Sequence, residues 1–346
     1  MGVPQMKIIK QVMGIDVSKD SLSVSIGSIT DYQEQRISKP VAFDNTKKGF
    51  KALLAWGEKS QEIDALPLLF VMEATGVYYE SLAYFLAEHK QQVVVLLPNK
   101  ARHYAKTLDI KSKTDKIDAM TLTRFGLERP LQLWQVPNPV MRTLKVLTRE
   151  YESIKVSATQ VKNQVHAKNH SYLPPKETLK RLQQQLALLE KQLKAIERQI
   201  KELIAQDPSL EEKIKKIIKI KGLGLMTIVT IIAETNGFAL IENTKQLASY
   251  AGLDVVHQQS GLKEKKTSIS KKGNKQIRRA LYMPAISACR FNAELRSWYL
   301  RLCEKKNIKK IGVIAVARKL LTLIYTLWKN NTDYNPQYHT TMATAS

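Results

Sequence analysis

The first hundred residues alternate between short runs of β-branched residues and longer amphipathic stretches. Between residues 12 and 43, three runs rich in Val and Ile are separated by polar breaks, which predicts a meander of three strands. Apolar runs at 68–72 and 93–97 predict two further strands, and the stretches 50–59 and 78–89 predict helices. With helical sequence from Thr114 onward, the order β-β-β-α-β-α-β-α predicts a mixed sheet flanked by helices.

The middle of the chain has the pattern of long helices. Pro137 and Pro139 open a polar helix that runs toward His170, and a Pro-Pro pair then ends it. Beyond it, apolar residues recur at alternating steps of three and four: Leu179, Leu182, Leu186, Leu189, Leu193, Ile196, Ile200 and Leu203. This stripe predicts a coiled coil of about four heptads. The alternative is a long amphipathic helix packed on its own domain, but so narrow a stripe favours self-association or an intramolecular hairpin.

Length and charge add to this picture. A chain of 346 residues is long enough for about two domains with a substantial core. Lys and Arg number 55 against 31 Asp and Glu, which gives a formal net charge of +24 and predicts a polyanionic partner, nucleic acid first. From residue 261 to the end there are 18 Lys and Arg against 4 Asp and Glu, so most of this excess lies in the C-terminal part.

The sequence argues against a membrane protein. The most apolar stretch, 311–328, contains Arg318 and Lys319, which would lie near the centre of a spanning helix. The N-terminus lacks the apolar region of a signal peptide, so we expect a cytoplasmic protein, associated with the bacterial nucleoid when bound to DNA. Cys289 and Cys303 lie in apolar helical sequence without metal-ligand spacing and are interpreted as reduced packing residues.

Four acidic residues lie at the ends of predicted strands and at the start of a predicted helix, which are positions that suit the ligands of a catalytic metal ion. Asp16 and Glu73 close two predicted strands, and Asp115 and Asp118 lie three residues apart at the start of a predicted helix. Gathered together they would repel each other unless a cation neutralised them, and carboxylate oxygens suit Mg²⁺ or Mn²⁺. Individually each has an ordinary explanation as a helix-start or strand-end acid. All four together, in a basic chain with this element order, favour a metal site for phosphoryl transfer.

These residues carry a family resemblance. The blocks around them, GIDVSK (14–19), MEATG (72–76), PNKARHYAK (98–106) and KTDKIDA (113–119), resemble the motifs of DEDD-type insertion-sequence transposases. That family has a catalytic domain similar to the junction resolvase RuvC, and it includes Piv-type DNA invertases and bridge-RNA-guided recombinases. The resemblance implies an N-terminal RuvC-like ribonuclease H fold, with Asp16, Glu73, Asp115 and Asp118 as the metal ligands.

The C-terminal half has three segments of interest. Paired glycines at 222 and 224 precede an apolar helix, as in helix-hairpin-helix modules, although a glycine turn between packed helices explains them equally well. The basic run 270–281 opens a helix that can contact phosphates, with a solvated basic helix as the alternative. By resemblance, the Ser-Gly pair at 260–261 implies that Ser260 is the nucleophile that joins DNA covalently; the residues alone indicate only a loop serine.

Basic side chains complete the candidate site. We predict nucleic-acid contacts at Lys100, Arg102, Lys106, Lys113, Lys271, Lys272, Lys275, Arg278 and Arg279. His103 and Tyr104 could stack on bases between these contacts, with surface packing nearly as good an explanation. His166 and His170 lie four apart on a helix without a third ligand nearby, and are interpreted as a surface pair.

The resulting prediction is a two-part architecture, α/β plus all-α. It comprises a RuvC-like catalytic domain (1–135), a helical linker with coiled coil (136–208), a helical basic domain with a helix-hairpin-helix-like element (209–332) and a polar tail (333–346). The predicted activity is DNA transposition or recombination by metal-dependent transesterification on donor and target DNA. The resemblance adds a bridge RNA, and the coiled coil suggests a homodimer or homotetramer. Alternatives are a Piv-like invertase, a junction nuclease that uses water, and a non-catalytic nucleic-acid-binding scaffold.

Overall fold

A computed structural model describes residues 6–74, 76–108, 114–239, 241–256, 259–260, 263–264, 268–306 and 308–335. For residues 99, 259, 260, 263, 264, 305 and 306 the description is limited to the backbone. The chain divides into two compact units, Met1–Val136 and Pro137–Ser346.

The first unit is built on one mixed sheet. Its strands are β1 (Ile8–Val17), β2 (Ser21–Thr30), β3 (Gln35–Ile37), β4 (Val41–Asp44), β5 (Leu68–Glu73) and β6 (Gln92–Leu96). The order is β3-β2-β1-β5-β6, and β4 pairs with the other half of β2. Strands β1, β2 and β3 are antiparallel neighbours, whereas β1, β5 and β6 run parallel. The predicted mixed sheet is therefore confirmed, and it is consistent with a RuvC-like domain.

Helices cover both faces of this sheet. They are α1 (Lys47–Ser60), α2 (Glu80–Glu88), α3 (Pro98–Ala105) and α4 (Asp115–Glu128). One face of the sheet packs on α1 and α2 through residues such as Met13, Phe70 and Met72. The other face, which includes Val12 and Val71, packs on α3 and α4. Since the middle of β1 and most of β5 are buried on both faces, residues 12–15 and 68–72 are continuous apolar runs rather than alternating ones.

Helix α4 approaches the sheet so closely that no side chain fits between them. A Cβ at Gly14 would lie 2.3 Å from the backbone nitrogen of Thr123 and 2.4 Å from the carbonyl oxygen of Ala119. The Gly14 N–H donates to Thr123 Oγ1 over 3.1 Å, and this hydroxyl lies 3.0 Å from the carbonyl oxygen of Ser25. One threonine side chain thus bonds α4 to both β1 and β2.

The second unit is mostly helical, as predicted. Its helices are α5 (Pro139–Asn169), α6 (Lys176–Ala205), α7 (Pro208–Ile217), α8 (Leu225–Glu234), α9 (Thr244–Ala251), α10 (Lys275–Phe291), α11 (Ala293–Lys306) and α12 (Lys309–Asn330). Short strands that the sequence pattern did not predict, β7 (Val255–Val256), β8 (Gln259–Ser260), β9 (Lys263–Glu264) and β10 (Ser268–Ile269), lie between α9 and α10. Two-residue strands are too short to establish a period of two.

Helices α5 and α6 pack against each other as a hairpin. Asn138 caps α5, whose first residue is Pro139, and α6 begins directly after the Pro-Pro pair. The Tyr151 hydroxyl donates to Glu197 across the hairpin over 2.8 Å, and burial, together with this contact, raises the Tyr151 pKa to about 12. The stripe is buried at Ile196 and Ile200, but from Leu179 to Leu193 it is only half-buried. The intramolecular hairpin is present; self-association through the coiled-coil stripe stays a prediction.

Helix α12 contains the apolar stretch noted in the sequence. Within the described residues it is the one helix long and apolar enough to cross a membrane. Its buried residues, which include Val316, Leu320 and Ile324, instead join the core of the second unit and pack against α10. Past its end, Asp333 pairs with Lys219 over 2.7 Å, so the start of the predicted polar tail is attached to the unit.

We expect Thr123→Val to lower the free energy of unfolding by about 1–3 kcal/mol. The isosteric change leaves the Gly14 N–H without its hydroxyl acceptor in a buried setting. Urea titration measures the effect. Thr143→Val is the matched control. Each of the two threonine hydroxyls lies 3.0 Å from the carbonyl oxygen four residues earlier in its helix, but Thr143 is on an exposed helix surface. Equal stability of the two variants would show that the Thr123 hydroxyl does not hold α4 in place.

Candidate active site

Asp16 and Glu73 lie side by side at one edge of the sheet. Strands β1 and β5 are parallel, with Gly14 opposite Val71 and Ile15 opposite Met72, so the next pair in this register is Asp16 and Glu73. Side chains alternate between faces along a strand. Asp16 therefore shares the face of Gly14, and Glu73 that of Val71, which is the face covered by α4.

Helix α4 brings the other two acids to the same edge. Near its C-terminal end, Gly126 lies against Val12 and Val71, and farther back Ala119 and Thr123 lie against Gly14. The helix thus runs opposite to β1, and its first turn lies over the end of β1 that carries Asp16. That turn contains Asp115 and Asp118 and is capped by the Thr114 side chain, which accepts from the Ile117 N–H over 3.3 Å.

The four acids fit a divalent cation by chemistry and by placement on the backbone. All are oxygen donors of the kind that Mg²⁺ and Mn²⁺ prefer, and their elements meet at one sheet edge. In the part of the chain that the structure describes, however, no group of three or more His, Cys, Asp or Glu side chains is arranged to hold a metal ion. The metal-ligand role of these acids therefore stays a prediction.

Helix α3 presents basic side chains next to this edge. It follows β6, which is parallel to β5, so it begins at the same end of the sheet as Glu73. Lys100, Arg102 and Lys106 are exposed, as a phosphate-binding surface requires. The stacking hypothesis for Tyr104 is wrong, because its ring is buried against Phe125 and its hydroxyl donates to Glu128 over 2.7 Å. Lys113 lies outside the described residues.

Ser260 lies between α9 and α10, in the segment from Gly252 to Gly273, which we call the arm. Within it β7 pairs with β10, with Val255 opposite Ile269, and β8 pairs separately with β9, with Ser260 opposite Lys263. From the residues we predicted only a loop here. The residues that connect the two pairings lie outside the described part of the chain.

The base of this arm is fixed by a backbone contact between two glycines. A Cβ at Gly273 would lie 2.4 Å from the Gly252 nitrogen, and Gly252 itself has a φ of +66°. Arg278 donates to the carbonyl oxygen of Ala251 over 2.8 Å at the same place. The Ala-Gly-Leu and Gly-Asn segments of the sequence therefore serve to join the two ends of the arm.

The basic residues before and in α10 fall into two groups. Lys271, Lys272 and Lys275 are exposed and suit contact with phosphates. The two arginines have protein partners: Arg278 holds Ala251, and Arg279 pairs with Glu152 over 3.5 Å. Nucleic-acid contacts at all five residues stay a prediction, and the two arginines also have structural contacts within the unit.

A buried carboxylate that sequence reasoning missed ties this region together. The side chain of Glu234, at the end of α8, is fully buried and accepts from Arg149 Nε over 2.6 Å and from Arg149 Nη2 over 3.0 Å. Its Oε2 also accepts from Asn274 Nδ2 over 2.7 Å. Burial by itself raises the Glu234 pKa, but donation from Arg149 and Asn274 outweighs it, so the pKa lies below the usual value. The available sequence signal for this buried carboxylate was a single acidic residue at the end of the otherwise apolar helix α8.

The glycine pair before α8 has a packing role. Gly222 has a φ of +101°, and a Cβ there would lie 2.8 Å from the backbone nitrogen of Ala288 in α10. Gly224 caps α8 with open space around it. The glycine turn between packed helices is present; a helix-hairpin-helix role in phosphate binding stays a prediction.

Comparison with known proteins identifies the family. Residues 13–174 match a family model described as a transposase, and residues 214–300 match the model of the IS116/IS110/IS902 transposase family. The chain belongs to the IS110 family of transposases. The family is one of enzymes that act on DNA, and the resemblance seen in the sequence motifs is confirmed.

Individual relatives agree with this assignment. The pilin gene-inverting protein of Moraxella bovis is 29% identical over 338 residues, which cover 95% of this chain and 99% of that protein. The transposase for insertion sequence element IS1111A of Coxiella burnetii is 21% identical over 267 residues, covering 69% of this chain and 72% of the relative. A solved Ppx/GppA protein from Aquifex aeolicus aligns over 97% of both chains at 10% identity, with a TM-score of 0.22, too low to indicate a shared fold.

We expect Glu234→Gln to lower the free energy of unfolding at neutral pH by about 1.5–3 kcal/mol. The substitution replaces a charged carboxylate, which accepts hydrogen bonds from Arg149 and Asn274, with a neutral amide. The Glu234 pKa is lower in the folded protein, so its contribution is complete above the unfolded pKa of about 4.3 and is lost as the pH falls through the folded value. Urea titrations at a series of pH values should therefore show a smaller loss of stability on acidification in the variant.

Glu202→Gln is the control for this experiment, because Glu202 pairs with Arg198 over 3.8 Å on the exposed surface of α6. Such pairs contribute about 0–1 kcal/mol. If both variants show the same pH profile, the buried pair does not stabilise this unit.

Proposed function

We propose that this family member is a DEDD-type DNA transposase that cleaves and rejoins DNA by metal-dependent transesterification, with Ser260 forming a covalent serine-DNA intermediate. The observation that carries the proposal is the meeting of Asp16, Glu73 and the Asp115–Asp118 turn at one sheet edge. Helix α3 begins at the same edge and carries the exposed Lys100 and Arg102, with the exposed Lys106 directly after it, and these side chains could supply the countercharge that a DNA backbone needs.

Asp16, Glu73, Asp115 and Asp118 would hold Mg²⁺ or Mn²⁺. A bound ion supplies charge stabilisation at the phosphoryl oxygens and lowers the pKa of a coordinated hydroxyl. The close packing of α4 on β1 supports this role, because a metal site needs ligands held on rigid elements.

Ser260 would provide the nucleophilic oxygen. Its Oγ forms a bond to the scissile phosphorus as a P–O bond of the DNA backbone breaks. The serine proton passes to solvent, and the departing DNA oxygen takes up a proton and leaves as a free hydroxyl. Attack by the hydroxyl of a second DNA end then forms the new P–O bond, breaks the serine linkage and returns a proton to Ser260. The contact between Gly252 and Gly273 supports this role, because it holds together the two ends of the segment that carries Ser260.

The proposed partners are donor and target DNA, a bridge RNA and further copies of this chain in a dimer or tetramer. The net charge of +24 supports polyanionic partners. The half-buried stripe from Leu179 to Leu193 supports association between hairpins, since its leucines are only partly covered. We propose that the reaction takes place on nucleoid DNA in the cytoplasm.

Inversion of a DNA segment is the second candidate outcome. The relative from Moraxella bovis is named for inverting a pilin gene and aligns over nearly its whole length, whereas the relative from Coxiella burnetii is named as a transposase. The same cleavage and rejoining chemistry serves both outcomes. A water-dependent junction nuclease and a non-catalytic scaffold are separated from these by the experiments below.

We expect Asp16→Asn and Asp118→Asn each to reduce Mg²⁺-dependent strand cleavage roughly 100-fold or more, because each removes a charged ligand. A gel assay with a supercoiled plasmid that carries the element ends measures cleavage, with and without a chelator. Asp64→Asn is the control, because Asp64 is an exposed acid of the same unit. A scaffold without catalysis would give no metal-dependent cleavage in any variant, including the wild type.

We expect Ser260→Ala to abolish the covalent protein-DNA adduct while DNA binding persists. The adduct is detected as labelled DNA that stays with the protein after denaturation. Ser268→Ala, in β10 of the same arm, should form the adduct at the wild-type level. A nuclease that uses water would retain strand cleavage in Ser260→Ala, which would contradict the serine intermediate.

A further inference from the structure

We propose that a groove between the end of α10 and one side of α11 binds unpaired nucleotides, with a base stacked on Phe291 and the flanking phosphates held by arginines. This inference rests on the proposed function, which supplies nucleic acid as the substrate class. It adds a contact surface in the second unit that shares no residue with the four acids of the candidate metal site or with the arm that carries Ser260.

Phe291 is the last residue of α10 and lies at an ordered corner of the chain. Its side chain is 69% exposed. The next residue, Asn292, is buried, and its Oδ1 accepts from the Leu295 N–H over 3.2 Å, so it begins α11. Its Nδ2 also donates to the Tyr334 hydroxyl over 3.2 Å. The backbone on which the exposed ring stands is therefore fixed at this corner.

The ring lies in a basic groove of about 670 Å³. Its lining includes Phe291, Leu300, Glu304 and three arginines, Arg290, Arg296 and Arg301. Each of the three arginines is an exposed residue. Positive charge therefore exceeds negative charge around an exposed aromatic ring.

This combination selects unpaired nucleic acid by its chemistry. Aromatic rings stack on the faces of bases, and those faces are available in single strands but covered in a duplex. Planar guanidinium groups match phosphate oxygens geometrically. A purely apolar protein partner would leave the positive excess of three arginines over Glu304 without countercharge, and the charge of residues 261–346, 18 Lys and Arg against 4 Asp and Glu, favours a polyanion.

The groove continues a basic face of α10. Lys275, Arg279 and Arg290 share the exposed side of this helix, opposite the buried Ile277 and Leu281. Fifteen residues of helix separate Lys275 from Arg290, a length of about 22 Å at 1.5 Å per residue. A strand that contacts the exposed lysines at the helix start can thus extend along α10 to Phe291.

The test is fluorescence anisotropy with labelled strands of about 12 nucleotides, within the usual range of single-strand site sizes. Oligothymidylate, oligouridylate and a DNA duplex are titrated with the full-length protein in the presence of a chelator. We expect Phe291→Ala to weaken single-strand binding roughly 5- to 150-fold at unchanged salt dependence. Arg296→Gln should instead reduce the slope of log affinity against log salt by about 0.7.

Further variants separate stacking from simple apolar contact. Phe291→Trp should retain or improve binding, whereas Phe291→Leu should behave like Phe291→Ala, because leucine has no π-face. Tyr32→Ala and Arg181→Gln are matched controls, as an exposed aromatic residue of the first unit and an exposed arginine of the α5–α6 hairpin. Circular dichroism confirms folding of each variant.

The proposal is overturned if Phe291→Ala binds single strands as the wild type does, if Phe291→Leu binds as well as Phe291→Trp, or if the duplex loses as much affinity as the single strands. A larger loss of affinity with oligothymidylate identifies DNA as the natural occupant, and a larger loss with oligouridylate identifies RNA. Because the chelator removes metal-dependent cleavage from the measurement, failure of the proposed catalysis leaves this result unaffected.

Discussion

The first unit of this protein depends on how closely one helix can approach one strand. The absence of a side chain at Gly14 lets the backbone of α4 touch β1, and the Thr123 hydroxyl fixes the approach with bonds to two strands. A larger residue at position 14 would push α4 outward and carry Asp115 and Asp118 away from Asp16. The packing of α4 on β1 therefore sets the distance between the two aspartates of α4 and Asp16. The local sequence around each acid determines only which residue type stands there.

The second unit relies on a charge held away from water. Glu234 is bonded by Arg149 from the start of the long hairpin and by Asn274, which also caps α10. Burying a carboxylate is unfavourable unless each of its oxygens has a partner, so the three residues must assemble together or not at all. One side of the helical hairpin is in this way connected to the helix that carries the exposed lysines.

Local patterns were sufficient for the mixed sheet and most helices, and they singled out the four acids, whose role stays a prediction. Each pattern depends on residues close in sequence: strand alternation, the proline at the start of α5, and an acid that interrupts an apolar run at Asp16. Besides the short elements β3 and α3, three features were missed or mistaken. Glu234 bonds a residue 85 positions away, the burial of Tyr104 depends on Phe125 and Glu128, and strands β7 to β10 are two residues long. Those outcomes depend on distant partners, which periodicity does not encode.

The segment that carries Ser260 is closed at its base. Gly252 and Gly273 are in backbone contact, so the chain leaves the core after α9 and returns to it before α10 at one point. Because closing a longer loop costs only slightly more free energy than closing a shorter one, relatives can gain or lose residues in this segment without moving the ends of α9 and α10.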